Sequence, residues 1–246
     1  MKRPIELVTG ILEEAHEPAS DRVRGRHGSH EVEIRFVDRG AGSSRDPYTE
    51  VWFLGAARRV DLHLHVIPQT HADVAEVAQG RGTDVILGDR AFDEAFFVEA
   101  APRDVIVRLF DASLRERMTR LRPLGVHTRP EGLLVEKPTW DNEAALGALV
   151  ALGAHLVDAI PAAFTAADRE VQSREGYRTT VSAEALGAER RDEVAIVAAK
   201  QRARDEHRAR MGCILLGLLL LAISTVSSLV VVFCGDGHVS STDSYE

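Results

Sequence analysis

Residues 31–36, EVEIRF, decide the fold class of this chain, because apolar and charged side chains alternate along them. A period of two returns in residues 49–53, TEVWF, where Thr49, Val51 and Phe53 oppose Glu50 and Trp52, and in residues 60–66, VDLHLHV. Successive side chains of a strand point to opposite faces, so this period of two predicts three strands with one apolar and one polar face. Residues 40–43, GAGS, provide a turn between the first two segments. Together the segments predict an antiparallel meander.

Helical signals lie on both sides of these strands. Residues 4–16 carry apolar side chains at helical spacing and predict a short amphipathic helix. Asp111 is placed to cap a helix that ends before Pro123. Asp141 is placed to cap a longer apolar helix, which we expect to stop at Pro161 because proline lacks a backbone donor. That helix is then too short to cross a membrane, so we expect it to pack in the core.

Two further strands, at residues 92–99 and 132–136, complete the expected sheet. The predicted fold class is α+β, an antiparallel sheet packed by two or three helices, followed by a helical stalk and one C-terminal transmembrane helix. The expected parts are a cytoplasmic domain, a linker with a helical stalk, a transmembrane helix and a short external tail, at residues 1–164, 165–210, 211–234 and 235–246.

The segment 211–234 contains no charged side chain, and 14 of its 24 residues are Leu, Ile, Val or Phe. As a helix it is about 36 Å long, which exceeds the ~30 Å hydrocarbon core of a bilayer. The core helices of water-soluble proteins are rarely apolar on every face. The segment is therefore predicted to be a single-pass transmembrane helix in contact with membrane lipid.

Basic residues lie on only one side of this segment. Five of them precede it closely: Lys200, Arg202, Arg204, Arg208 and Arg210. Residues 235–246 contain no Lys or Arg, so the positive-inside bias predicts that residues 1–210 are cytoplasmic and the tail is external. Residues 1–20 contain no run typical of a signal peptide. The expectation is a tail-anchored protein of the cell membrane.

Small residues fall near one face of the predicted span, at Cys213, Gly217, Ser224 and Ser228. Small side chains let two helices approach closely, which indicates a homodimer through this face. The alternative is that Gly and Ser are simply common in spanning helices. Cys213 and Cys234 lie about 30 Å apart along a helix, which excludes a disulfide between them within one chain.

Composition excludes several classes of function. The net charge of −8 argues against a general nucleic-acid binder, which usually carries a basic surface. Both cysteines lie in the predicted span, so the rest of the chain has no zinc knuckle, redox pair or thiol nucleophile. Only three of the 30 basic residues are lysine, which indicates a GC-rich, bacterial genome.

The sharpest local pattern is formed by Asp61, His63 and His65, which would share one face of the third strand at intervals of about 7 Å. Two neutral imidazoles and a carboxylate so placed could bind zinc and activate a water molecule. The stretch resembles the first metal-binding strand of amidohydrolases and of polymerase-and-histidinol-phosphatase-type enzymes, which implies a metal-dependent hydrolase. The alternative is the polar face of a half-exposed strand, because the later histidines form no second paired motif. We therefore assign no catalytic residue, no metal and no cofactor.

A longer resemblance rests on residues 88–98, GDRAFDEAFFV. The pattern Gly-Asp-x-x-Phe-Asp-x-x-Phe-x-Val resembles an uncharacterised bacterial membrane-associated domain, and the likeness extends over about residues 25–160. It implies no known activity. From the residues themselves we expect Phe92, Phe96 and Val98 to fill the core and Asp89 to shape a turn.

The expected function follows from an anchored domain without a complete catalytic set. It is a non-enzymatic interaction or scaffolding module that binds a protein partner or a second copy of the chain. The alternatives are a metal-dependent hydrolase using Asp61, His63 and His65, and a lipid-binding module.

Overall fold

The computed structural model describes residues 4–39, 46–56, 61–138, 143–175 and 183–235. Side chains within these ranges are described except at 172–175, 183–186 and 215–235. The chain forms two compact units, residues 1–201 and residues 202–246.

The first unit is built on one antiparallel sheet. In the described part of the chain the sheet has eight strands: β1 Glu13–Ala19, β2 Arg22–His27, β3 His30–Arg39, β4 Asp46–Leu54, β5 His63–Pro68, β6 Phe96–Ala101, β7 Gly125–Arg129 and β8 Gly132–Pro138. Their order across the sheet is β1-β2-β3-β4-β8-β7-β5-β6. The prediction of an α+β fold with an antiparallel sheet is confirmed.

The predicted meander is wrong in its third strand. β3 and β4 are neighbours, with Ile34 opposite Val51. β5 does not follow β4, because the hairpin of β7 and β8 lies between them, and β5 pairs with β6 and β7 instead. Alternation fixes which residues share a face of a strand, but it carries no information about which strand lies next to which.

The helices of the described ranges are α1 Pro4–Val8, α2 His71–Ala78, α3 Arg90–Asp93, α4 Arg103–Leu109, α5 Ala112–Arg120, α6 Glu143–Glu175 and α7 Ala183–Gly235. The predicted helix 4–16 is wrong beyond Val8, because residues 13–19 pair with β2 as the edge strand. The predicted cap at Asp111 is confirmed, since its Oδ1 accepts a hydrogen bond from the backbone N–H of Leu114 at 2.7 Å.

The core lies between the apolar face of the sheet and α6. Val32, Ile34, Val51 and Val135 are fully buried on that face. The α6 helix contacts β4 and β8, and α1, α4 and α5 pack around it. These contacts explain why the period of two in the strands was strong enough to predict the apolar face.

Phe53 on β4 lies directly against α6 at Gly153. A Cβ atom at position 153 would be 2.1 Å from Cε2 of Phe53 and 2.8 Å from its Cζ. No side chain larger than hydrogen fits there unless the ring moves. Glycine at this helical position therefore creates the space that the aromatic ring occupies.

The α6 helix does not stop at Pro161 as predicted; it continues through this residue to Glu175 and has 33 residues. Pro161 is exposed, whereas Ile160 and Ala163 on either side are buried. Packing on both sides of the proline outweighs the cost of about 3 kcal/mol that proline imposes on a helix interior.

Its length makes α6 relevant to the membrane. Within the described residues, the segment Glu143–Val171 is long and apolar enough to cross a bilayer by length and composition. The prediction that this helix is too short is therefore wrong. Its buried residues include Leu149, Val150 and Leu156, which belong to the core of the first unit.

The predicted span lies in α7, whose backbone is helical from Ala183 to Gly235. Residues 215–235 have no described side chains, and the tail beyond Gly235 lies outside the described residues. Residues 165–175 of the predicted linker belong to α6, and 176–182 lie outside the described ranges. Residues 183–201 of α7 belong to the first unit, where Arg190 pairs with Asp104 at 2.8 Å and with Asp168 at 2.5 Å.

Candidate functional site

The second face of the sheet carries a continuous row of charged and aromatic side chains. The register places Glu33 opposite both Arg24 and Trp52, and Glu50 opposite both Arg35 and Glu136. Directly opposed residues of antiparallel strands point to the same face. This polar sheet face therefore joins β2, β3, β4 and β8, and it is the candidate functional site.

One end of the polar sheet face is organised around Glu33. Its side chain is only 1% exposed, although those of Arg22 and Arg24 are about 40% exposed. Arg24 donates from Nε at 3.1 Å and from Nη2 at 2.5 Å, and Arg35 donates from Nε at 2.6 Å. Arg22 contributes a weaker contact, with Nη1 4.0 Å from Oε1. One buried carboxylate thus holds three guanidinium groups whose outer parts face solvent.

The charge of Glu33 is preserved despite its burial. Burial by itself would raise the pKa of this carboxyl group, but the hydrogen bonds from Arg24 and Arg35 outweigh burial and hold its pKa below the ordinary value. Glu33 therefore stays ionised at neutral pH and fixes the positions of the arginines.

Two of the arginines stack their guanidinium groups on aromatic rings. The guanidinium carbon of Arg35 lies 4.7 Å from the centre of the Trp52 ring, and that of Arg39 lies 4.5 Å from the centre of the Tyr48 ring. Trp52 is itself held by a hydrogen bond from its Nε1 to Glu50 at 3.0 Å. Stacking of this kind reduces the freedom of the arginine side chains before any ligand arrives.

Arg39 connects this aromatic cluster to two carboxylates. Its Nη1 and Nη2 donate to the two oxygens of Glu136 at 3.0 and 2.5 Å, and Nη2 also donates to Glu50 at 2.6 Å. The hydrogen bond to Glu136 is the largest of the effects that hold the pKa of Arg39 above its ordinary value. The fork of one guanidinium on one carboxylate fixes both side chains in orientation.

A pair of histidines continues the network beyond Glu136. Nε2 of His127 lies 3.4 Å from Glu136, and Nδ1 of His127 lies 2.8 Å from Nδ1 of His65. An ionised carboxylate only accepts, so we assign the proton of a neutral His127 to Nε2 and the role of acceptor to its Nδ1. His65 then donates from Nδ1. The result is a chain of hydrogen bonds from His65 on β5 through His127 to Glu136 on β8, and Glu136 accepts from Arg39 on β3 on its other side.

Burial by itself would raise the pKa of Glu136, but the hydrogen bonds from His127 and Arg39 lower it to about 2. Gly125, opposite Glu136 in the register, leaves the space for this contact. A Cβ atom at position 125 would lie 2.8 Å from Nε2 of His127 and 3.1 Å from Cγ of Glu136. The glycine therefore belongs to the site although it contributes no side chain.

The predicted group of Asp61, His63 and His65 is not brought together as one cluster. His65 contacts His127 on the neighbouring strand, while Oδ2 of Asp61 lies 3.9 Å from a nitrogen of Arg191. His63 lies on the same face of β5 as His65, opposite Ala101. Among the residues that the structure describes, no group of three or more His, Cys, Asp or Glu side chains could hold a metal ion.

The other residues singled out in the sequence lie outside the polar sheet face. Phe92, Phe96 and Val98 are buried in the core, as predicted. The predicted turn at Asp89 is confirmed, since its carboxylate accepts a hydrogen bond from the N–H of Phe92 at 3.3 Å. On the predicted dimer face, Cys213 is exposed. The side chains of the other members, Gly217, Ser224 and Ser228, lie outside the described part.

Sequence reasoning identified His65 but missed Arg39, His127 and Glu136 as members of one site. The available signal was the alternation of charged residues along predicted strands, which places Glu33, Arg35 and Glu136 on polar faces. What was missing was the pairing of β4 with β8, which brings these faces together.

Compared with known protein families and with curated proteins, this chain matches none of them.

Proposed function

We propose that this chain is a membrane-anchored, non-enzymatic interaction module that binds a protein partner through its polar sheet face. The anchor is the segment 211–234, and the binding unit is the sheet domain that precedes it. The cluster of Arg22, Arg24 and Arg35 around the buried Glu33 is the observation that carries this proposal.

Two observations support the anchor. Residues 211–234 belong to a continuous helix, Ala183–Gly235, and they contain no charged side chain. Fourteen apolar residues at roughly −0.3 to −0.6 kcal/mol each favour insertion by several kcal/mol. The basic residues before the segment favour an orientation with the sheet domain in the cytoplasm and the cell membrane as the site of insertion.

The arrangement of charge supports a partner with carboxylates on its contact surface. Glu33, Glu50 and Glu136 are at most 14% exposed, whereas Arg24 and Arg39 are about 40% exposed. These three glutamates thus lie beneath the arginines. The more exposed Glu31 and Asp21 contact Arg24 and Arg22 only at 3.6 Å, which leaves both guanidinium groups partly open to solvent. Arginine forms paired hydrogen bonds with carboxylates, and arginine, tryptophan and tyrosine are enriched where protein interfaces gain most of their affinity.

The side chain of Arg35 is already held in place for binding. Within the described residues, the hydrogen bonds of Arg35 use only Nε, so Nη1 and Nη2 can donate to a partner. Trp52 and Glu33 already fix the side chain, which means that binding costs little further conformational entropy.

Anchoring is tested by placing two charges in the segment. We expect the full chain to remain in the membrane pellet after alkaline carbonate extraction and to be protected from protease in spheroplasts. Changing Leu220→Arg and Leu221→Arg should release it, since each charge at the centre of a span costs about 2.5–3.5 kcal/mol. The matched change of both leucines to Ile should have no effect. Extraction of the unaltered chain would refute the anchor, and digestion in spheroplasts would reverse the orientation.

Partner binding is tested by pull-down of the full chain from detergent extracts. The change Arg22→Gln with Arg35→Gln should lower recovery of a co-purified protein at least about tenfold. The reason is that two donors to the carboxylates of the partner are lost, while Arg24 still neutralises Glu33. The pair Arg81→Gln and Arg90→Gln, two exposed arginines elsewhere, is the control. Equal recovery with both pairs, or a strictly monomeric chain without any partner, would contradict the proposal.

A further inference from the structure

A groove lies between α5 and α6, on the helical side of the first unit. It is lined by Leu121, Ala148, Ala151 and Leu152 and by two arginines of α5, Arg117 and Arg120. Its volume is about 280 Å³. Pockets for whole small-molecule ligands usually measure about 300–1,000 Å³, so this groove suits a short length of apolar chain.

Positive charge concentrates at the mouth of the groove. Arg117 and Arg120 are three residues apart on α5 and therefore share one side of the helix. Both are exposed, and Arg122 just beyond the helix is exposed as well. Glu116 is the only acidic residue of α5, and it contacts Arg120. The net charge here is positive in a chain whose net charge is −8.

The charge of these arginines is not needed to neutralise the end of α5. The carbonyl groups that follow the helix carry the negative end of its dipole. Lys137 on β8 satisfies them, with Nζ 2.6 Å from the carbonyl oxygen of Leu121 and 3.1 Å from that of Arg122. Arg117 has no ion pair among the residues that the structure describes. Its guanidinium group can therefore reach an anion outside the protein.

We propose that this groove binds an anionic phospholipid of the bilayer, with the headgroup phosphate on Arg117 and Arg120 and part of an acyl chain between α5 and α6. The walls match an acyl chain because they are Ala and Leu side chains and the alkyl stems of the arginines. The rim matches a phosphate, which guanidinium groups bind through paired hydrogen bonds. The inference rests on the proposed function only in that an anchored chain is held at a membrane that contains such lipids.

An acidic protein segment fits this groove less well than it fits the polar sheet face. On the sheet face, carboxylates and aromatic rings fix the arginines in place. At the groove, Arg117 and Arg120 lie on an exposed helix edge above an apolar floor, with Leu152 almost fully buried beneath them. A ligand that is anionic at one end and apolar at the other satisfies both features.

The test uses fluorescence quenching by lipids that carry bromine on their acyl chains. A small fluorophore is attached to the full chain at Ala144→Cys, one helical turn from Ala148, after Cys213→Ser and Cys234→Ser. The chain is placed in mixed micelles of a nonionic detergent with brominated phosphatidylglycerol or brominated phosphatidylcholine. We expect quenching to be at least about threefold stronger with phosphatidylglycerol, since its headgroup carries a net negative charge.

Variants separate this site from general attraction to lipid. Arg117→Glu with Arg120→Glu should reduce quenching to the phosphatidylcholine level, whereas Arg26→Glu with Arg129→Glu, an equal charge change on β2 and β7, should leave it unaltered. A fluorophore at Ala162→Cys, about 27 Å from position 144 along α6, should respond equally to both lipids. The milder pair Arg117→Gln and Arg120→Gln serves if the glutamate pair does not fold.

Equal quenching by the two lipids, or quenching that the changes at Arg117 and Arg120 do not alter, would overturn the proposal. Loss of a co-purified protein in these variants, with quenching unchanged, would assign the groove to a protein and overturn it equally. Detergent keeps the chain in solution whether or not residues 211–234 span a bilayer. Failure of the anchor would therefore show in carbonate extraction and not in this experiment.

Discussion

Replacing Gly153 by alanine should destabilise the sheet domain by about 1–3 kcal/mol, the usual cost of overfilling a well-packed core. The added Cβ would lie 2.1 Å from Cε2 of Phe53, a ring that is only 1% exposed and packed in the core. The same change should gain up to about 1 kcal/mol of helix propensity, so the clash must exceed that gain to be visible. Denaturant unfolding of the full chain in detergent, followed by tryptophan fluorescence, measures the difference.

A matched control lies on the same helix. At Gly147 an added Cβ would meet only Ile11, at 3.9 Å, which is ordinary van der Waals contact. We therefore expect Gly147→Ala to be neutral or to stabilise by up to about 1 kcal/mol. In addition, Phe53→Leu should reduce the cost of Gly153→Ala, since the smaller side chain gives way. A Gly153→Ala variant as stable as the Gly147→Ala variant would show that the ring is not confined.

Acid should remove about 3 kcal/mol of stability through Glu136 alone. Its pKa in the folded protein is about 2, compared with 4.5 for an unperturbed glutamate. Because the folded value is the lower one, the stabilisation is complete above pH 4.5 and is lost as the pH falls through 2. The two pKa values differ by about 2.5, and at about 1.4 kcal/mol per unit this corresponds to roughly 3–4 kcal/mol.

The variant Glu136→Gln tests this expectation, because it keeps the shape of the side chain and removes its charge. It should be less stable at pH 7 by about 3 kcal/mol and should lose less stability than the unaltered protein between pH 5 and pH 2. Glu131→Gln, an exposed change in the turn before β8, should alter stability by less than about 0.5 kcal/mol. If Glu136→Gln kept the full acid dependence, the loss would have to arise from other carboxylates.

The strands were predictable where one face of the sheet is apolar and the other is charged. Residues 31–36 alternate without interruption and residues 49–53 alternate except at Trp52, and both form the interiors of strands, β3 and β4. β1 was not predicted because it is an almost fully exposed edge strand whose pairing with β2 shifts register twice. An exposed edge has no apolar face to give it a period, so no pattern of the sequence marks it.

The predicted ends of α1 and α6 were wrong for a related reason. Residues 4–12 keep a helical apolar pattern, with Val8 and Leu12 both buried, but the chain turns after Val8 to reach the sheet edge. Pro161 was expected to end α6, yet the residues beyond it pack in the same core. In both cases tertiary contacts that no local pattern records outweigh the local preference.

The candidate site was predictable only one residue at a time. His65 stood out because it alternates with His63 on one strand. The side chains that complete the network, on β3, β7 and β8, come from segments up to about 100 residues apart in sequence. Such a site exists only after the sheet has assembled, and its members carry no short motif.

The insertion of the β7–β8 hairpin beside β4 also dictates the order in which the sheet can close during synthesis. β4 ends at Leu54, but the strand that completes its hydrogen bonding ends only at Pro138. A ribosome adding 5–20 residues per second needs about 4–17 s to supply that stretch. For this interval the nascent chain presents Val51, Trp52 and Phe53 on an unpaired edge, which is a template for association with other chains. We therefore expect β4 to stay open to pairing with other chains until β8 has been synthesised.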